Sequence, residues 1–133
     1  MTDNQKLNLC KQAIEIANNS YSPYSNFKVG AALLCDDGTV FVGTNIENAS
    51  YSVTNCAERV AIQTAVANGK RNFKAIAIAG GKENVGETIC PPCGICRQAL
   101  TEFCDGDFII LLAKENGFEE YTLSQLLPNS FTL

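Results

Sequence analysis

The chain has 133 residues, 46% of them apolar, and a formal net charge of -4; that length suits a core needing no staples, so residues 1–133 are expected to form one domain. It contains no histidine, which excludes Ser-His-Asp and Cys-His nucleophilic sites and every zinc site with an imidazole ligand. The acidic balance argues against a nucleic-acid partner, no apolar run approaches a membrane span, and the opening MTDNQKLNL lacks the apolar block of a signal peptide, so a cytoplasmic protein with no membrane partner is expected.

Leu7, Cys10, Ala13, Ile14 and Ala17 recur at helical spacing and predict an amphipathic helix over 6–18. FKVGAALL (27–34) and TVFVG (39–43) flank the turn DDG and predict a hairpin. The small Gly30, Ala31 and Ala32 imply that something packs closely on its first strand. A second helix is expected over 55–68, with Asn55 as N-cap and Gly69 past its end. The basic cluster Lys70, Arg71 and Lys74 then falls at a helix exit, where it complements the helix dipole. A buried strand, FKAIAIA (73–79), follows.

Pro91 and Pro92 precede a third helix over 93–104, with Cys96, Ala99, Leu100 and Phe103 on one face. FIILLA (108–113), an Asn116-Gly117 turn and a strand near 118–122 form a second hairpin, and a short helix about SQLL precedes Pro128. Helix, hairpin, helix, strand, helix, hairpin contains two strand-helix-strand crossovers. This order predicts an α/β fold of three layers, α/β/α, around a mixed five-stranded sheet.

Seven cysteines (Cys10, Cys35, Cys56, Cys90, Cys93, Cys96, Cys104) are an odd number in a chain read as cytoplasmic, which favours metal ligands or buried thiols over disulfides. Open α/β sheets place ligands at the carboxyl ends of their strands, where helices two and three begin. These helices open NCAER and PPCGICRQ, so Cys56, Cys93 and Cys96 can converge there. Three protein ligands with one open position is the pattern of a catalytic zinc. Three thiolates carry excess negative charge, which two helix ends and Arg59, one turn beyond Cys56, can offset. Glu58 can reach a water in that site and move protons. Asn55-x-x-Glu58 is also a capping-box spacing, which would tie Glu58 to the helix start instead. Cys90 invites two other readings, a fourth ligand in a closed zinc or iron-sulfur module, or half of a redox pair with Cys93.

Cys-Ala-Glu followed by Pro-Cys-x-x-Cys is the zinc-deaminase signature in its three-cysteine form. With YSPYSNFKVGAAL, NIENASYSVTNCAERVA and LLPNSF, the chain resembles the small homotetrameric cytidine deaminases from its first helix to its C-terminus. The resemblance implies one Zn2+ per subunit on Cys56, Cys93 and Cys96, with Glu58 as proton shuttle. It further implies contacts of Asn45 and Glu47 with ribose hydroxyls, Phe27 against the pyrimidine, and the Ala57 backbone against the base. Phe131 is implied to close a neighbouring subunit's site. Without the family, Asn45 and Glu47 read as a polar loop, Phe27 as a buried strand residue and Phe131 as a tail packed on its own domain. The implied activity is hydrolytic deamination of cytidine and deoxycytidine, a step of pyrimidine salvage. A deaminase of a nucleoside antibiotic such as blasticidin S shares the metal motif, but that group looks different where this chain keeps NIENASY.

Overall fold

Helix α1 (Asp3–Ala17) starts three residues earlier than its apolar spacing predicts, because Thr2 and Gln5 close a reciprocal capping box. The Gln5 N–H donates to Thr2 Oγ1 at 3.2 Å and the Thr2 N–H to Gln5 Oε1 at 2.8 Å. Its buried stripe is Leu9, Cys10, Ala13 and Ala17, and Leu7, expected inside, is exposed. The computed structural model describes residues 1–133.

Strands β1 (Lys28–Cys35) and β2 (Val40–Thr44) form the predicted hairpin, with Gly38 at φ 91° supplying the left-handed turn residue. A 3₁₀ turn at Tyr51–Val53 leads into helix α2 (Ala57–Ala67), and β3 (Phe73–Gly81), helix α3 (Gly94–Phe103), β4 (Ile109–Lys114), β5 (Gly117–Thr122) and helix α4 (Leu123–Leu126) follow. The sheet order is β2-β1-β3-β4-β5; β3 and β4 are parallel and every other neighbouring pair is antiparallel. Two successive antiparallel pairings make β2 and β3 run the same way. Both crossovers therefore deliver a helix N-terminus to the same end of the sheet.

The two faces are packed differently. On one, α1 covers Ala32, Ala75, Ala77, Ala79, Leu111 and Ala113, small residues that let the helix lie close. Gly30 is the extreme of this contact, since a β-carbon there would fall 2.1 Å from the Ala13 carbonyl oxygen. On the other face, Ala57, Ala61, Ile62 and Ala65 of α2 and Leu100 of α3 meet Leu33, Ile76, Ile78, Ile110 and Leu112. Phe103, expected on that buried face, lies at its margin and makes an edge-to-face contact with Phe73 at 6.4 Å. Helix on sheet on helix is the expected three-layer α/β/α arrangement. The basic cluster ends α2: Lys70 pairs with Asp37 at 2.6 Å, and Arg71 donates to the Val66 carbonyl at 2.9 Å.

Candidate metal and active site

Cys56 is the N-cap of α2 and Cys93 the N-cap of α3, both with extended backbone, and neither makes a side-chain bond to its own helix. An N-cap oxygen normally accepts from an early helical N–H. With sulfur there instead, each helix start keeps its positive end facing its own cysteine. Cys96 is the third residue of α3 and fully buried.

The three sulfurs lie within 4.8 Å of one another, with Cys56 to Cys93 at 3.8 Å and Cys93 to Cys96 at 3.4 Å. A tetrahedral ion with sulfur bonds of about 2.3 Å places its ligands about 3.8 Å apart, so the donor set and its spacing fit a thiolate-bound zinc. Arg59 Nη2 donates to Cys56 Sγ at 3.5 Å. Hydrogen bonds from Cys96, Arg59 and Cys93 push the Cys56 thiol well below its ordinary range. Its bond to Cys56, then burial, push Cys96 upward. The trio thus favours one thiolate supported by neighbouring donors, and a cation can displace the remaining protons. Cys90 is not part of the group.

Glu58 is 4% exposed, the one charged residue among the buried side chains. Burial pushes its carboxyl up to about 7, and the nearby Cys56 thiolate adds to the rise, while its own backbone N–H and the Cys96 thiol oppose it. The capping-box alternative does not form. Asn55, predicted as N-cap, is held in extended chain by a two-way bridge with Ile46, its N–H donating at 3.0 Å and its carbonyl accepting at 2.9 Å. The helix therefore starts one residue later, and Glu58 takes the second helical position rather than the third. The Asn55 amide instead donates to Gln63 Oε1 at 3.1 Å.

Ala57 is fully buried, its carbonyl oxygen 2.6 Å from where a β-carbon on Gly43 would stand. Asn45 ties the loop after β2 to the start of β1: its amide nitrogen donates to the Phe27 carbonyl at 2.8 Å, and its oxygen accepts from the Val29 N–H at 2.9 Å and from Ser20 Oγ. Glu47 accepts from the N–H groups of Tyr24 and Ser25 at 2.9 and 3.1 Å and from Ser25 Oγ at 2.5 Å. The Ser25 hydroxyl and these two N–H groups hold its carboxyl below the usual range. Phe27 packs its ring toward Gly80 beside Cys90. Phe131 is 68% exposed, so it is not the packed tail of the bland alternative, and only its carbonyl is engaged, by Gln98 at 3.2 Å.

Sequence reasoning assigned no role to Tyr24, Ser25, Tyr51 or Thr54, which line a cavity of about 340 Å³ with Glu47. In sequence they are turn and loop residues, and the pairing of Ile46 with both Tyr21 and Asn55 brings them together. A larger cavity, about 690 Å³, opens at the other end of the sheet between α1, the β1–β2 turn and the α3–β4 connection. It contains none of the three site cysteines and not Glu58, so chemistry rather than volume locates the site.

Fold and donor set together define a deaminase-like α/β/α protein with a metal-capable sulfur site. Residues 3–112 match the family described as cytidine and deoxycytidylate deaminase zinc-binding region, and the chain belongs to that family. It is 47% identical over 125 residues to the cytidine deaminase of Halalkalibacterium halodurans, covering 93% of this chain and 92% of that protein. The crystal structure of cytidine deaminase from Burkholderia pseudomallei superposes with a TM-score of 0.86 at 40% identity, covering 98% of this chain and all of that one. A blasticidin-S deaminase of Bacillus cereus is 30% identical over 132 residues, 96% of this chain and 93% of that protein.

Proposed function

We propose that this protein is a zinc-dependent cytidine deaminase, which converts cytidine and deoxycytidine with water to uridine and deoxyuridine plus ammonia, in pyrimidine salvage in the cytoplasm. The observation that carries the reading is the convergence of three sulfurs within 4.8 Å at two helix starts, with buried Glu58 beside them. Cys56, Cys93 and Cys96 would hold one Zn2+ per subunit, and the ion supplies Lewis acidity toward a water in the open fourth position.

The chain's own groups do the rest. Two helix N-termini and the Arg59 guanidinium offset the charge of three thiolates. Glu58, sealed from solvent beside the three sulfurs, takes a proton from the attacking water, delivers it to N3 of the pyrimidine and later carries one to the departing amine. The ring loses its planarity at C4, so the site must favour that puckered form over the flat substrate. Phe27 lies against the base, the Ala57 backbone meets it, and Asn45 and Glu47 read the sugar hydroxyls. An ionised Glu47 carboxylate suits hydroxyl donors. The exposed ring of Phe131 suits closure of a neighbouring site in a homotetramer.

Metal analysis of purified protein, with the ultraviolet absorbance change on cytidine and on blasticidin S, tests the proposal. Zinc near one per subunit with cytidine turnover is expected. Turnover of blasticidin S without cytidine would overturn the substrate, and zinc-loaded protein inert on both would overturn the reaction.

A further inference from the structure

The residue that orients Glu47 is Ser25. Its hydroxyl stands between two groups of the proposed nucleoside site, donating to Glu47 Oε2 at 2.5 Å while accepting from the Phe27 N–H at 3.0 Å. Its own N–H, with that of Tyr24, grips the other carboxylate oxygen. The turn that presents these donors is held in place independently. Asn26 has φ 56° and donates its N–H to the Ser22 carbonyl at 3.0 Å, and Tyr21 and Glu47 exchange backbone bonds with the facing segment. On the far side of Phe27, Asn45 donates to the Phe27 carbonyl.

We infer that Ser25 is a positioning residue for sugar recognition, its hydroxyl locking the Glu47 carboxylate in one rotamer and coupling it to the backbone of Phe27. This rests on the reading that Glu47 contacts the sugar. A carboxylate at a loop surface would otherwise choose freely among rotamers, whereas Glu47, held by three donors, is already ordered before substrate arrives. Removing the hydroxyl deletes the charge-assisted bond to Oε2 and leaves the carboxylate held through Oε1 alone, free to pivot about it, which weakens binding of the sugar without touching the groups that move protons.

The test is steady-state kinetics of Ser25→Ala, Ser25→Thr, Glu47→Ala and the Ser25→Ala/Glu47→Ala pair, on cytidine and on 2′,3′-dideoxycytidine, with zinc content measured throughout. Ser25→Ala should raise KM for cytidine about tenfold or more, the scale of a lost bond to a charged group, with kcat within about threefold and zinc unchanged. Ser25→Thr should restore KM, the penalty should shrink on the dideoxynucleoside, and the double variant should be little worse than Glu47→Ala, since both act through one carboxylate. Glu47→Ala raising KM while Ser25→Ala does not, or additive losses in the pair, overturns the role of Ser25 and leaves the sugar reading standing. A Glu47→Ala variant with wild-type KM overturns the sugar reading itself. Equal loss of kcat on both substrates by Ser25→Ala and Ser25→Thr makes Ser25 structural and overturns the inference.

Discussion

Glu58 shows how burial gives a common residue an uncommon role. In the metal-free chain its carboxyl, raised to about 7 by burial, can hold or release a proton near neutrality. Glu58→Gln should keep zinc and fold yet lose turnover by about 10² to 10⁴, the range of one acid-base group, as measured on cytidine at saturating concentration; activity within about tenfold of wild type would end the proton-shuttle assignment. The same shift makes a pH prediction for chelated protein. Because the folded value exceeds the unfolded one, Glu58 favours folding most fully below the unfolded carboxyl range, and that contribution disappears as pH rises through about 7. At pH 8, metal-free Glu58→Gln should be more stable than metal-free wild type by on the order of 3 kcal/mol, read from urea midpoints at pH 5 and 8. Cys90 tests the sulfur assignment. Burial pushes its thiol up to about 12, and it packs with Phe27 over Gly80, outside the trio. Cys90→Ser should retain zinc and cytidine turnover, whereas Cys93→Ser and Cys96→Ser should lose metal on dialysis. Loss from all three would restore a closed four-cysteine site.

At the scale of elements, two glycines set how close a helix may lie to a strand, one on each face. A β-carbon on Gly30 would stand 2.1 Å from the Ala13 carbonyl oxygen and 2.7 Å from the Ala17 nitrogen; on Gly43 it would stand 2.6 Å from both the Ala57 oxygen and the Ala61 nitrogen. All four neighbours are backbone atoms, so the helices must move. Both Gly30→Ala and Gly43→Ala should destabilise by about 1–3 kcal/mol or more, as overpacking does. Their consequences separate by element. Only α2 carries Cys56 and Glu58, so Gly43→Ala should also release zinc faster to a chelator, while Gly30→Ala should leave the release rate unchanged in folded protein. The element boundaries were legible where caps and turns are local: Thr2 with Gln5 could have been read as the true start of α1, and Gly69 does end α2, at φ 84°. Asn55 misled because the partner that holds it extended, Ile46, is nine positions away and visible only once the chain folds back.

At the scale of the molecule, exposed Tyr21, Tyr24, Tyr51, Ile95 and Phe131 leave apolar surface uncovered on the isolated chain, as a protein that buries such surface against copies of itself would. A homotetramer is expected by light scattering, and deleting residues 131–133 should raise KM for cytidine without removing zinc. A fully active monomer would contradict the shared-site reading.

What the sequence by itself determined is the periodic and the local: five strands, the main helices, the crossover order, and a cysteine triad whose spacing within PCGIC places two thiols on one helix turn. The absence of histidine makes any transition-metal site lean on thiolate. Only the tertiary structure decided that Cys56 joins Cys93 at 3.8 Å, that Glu58 is sealed from solvent, and that Ser25 holds Glu47. Each of these is a meeting of segments far apart in the chain, brought together by sheet order and loop pairing. Propensity and periodicity carry no information about such meetings, because they describe a residue's neighbours along the backbone and not its neighbours across it.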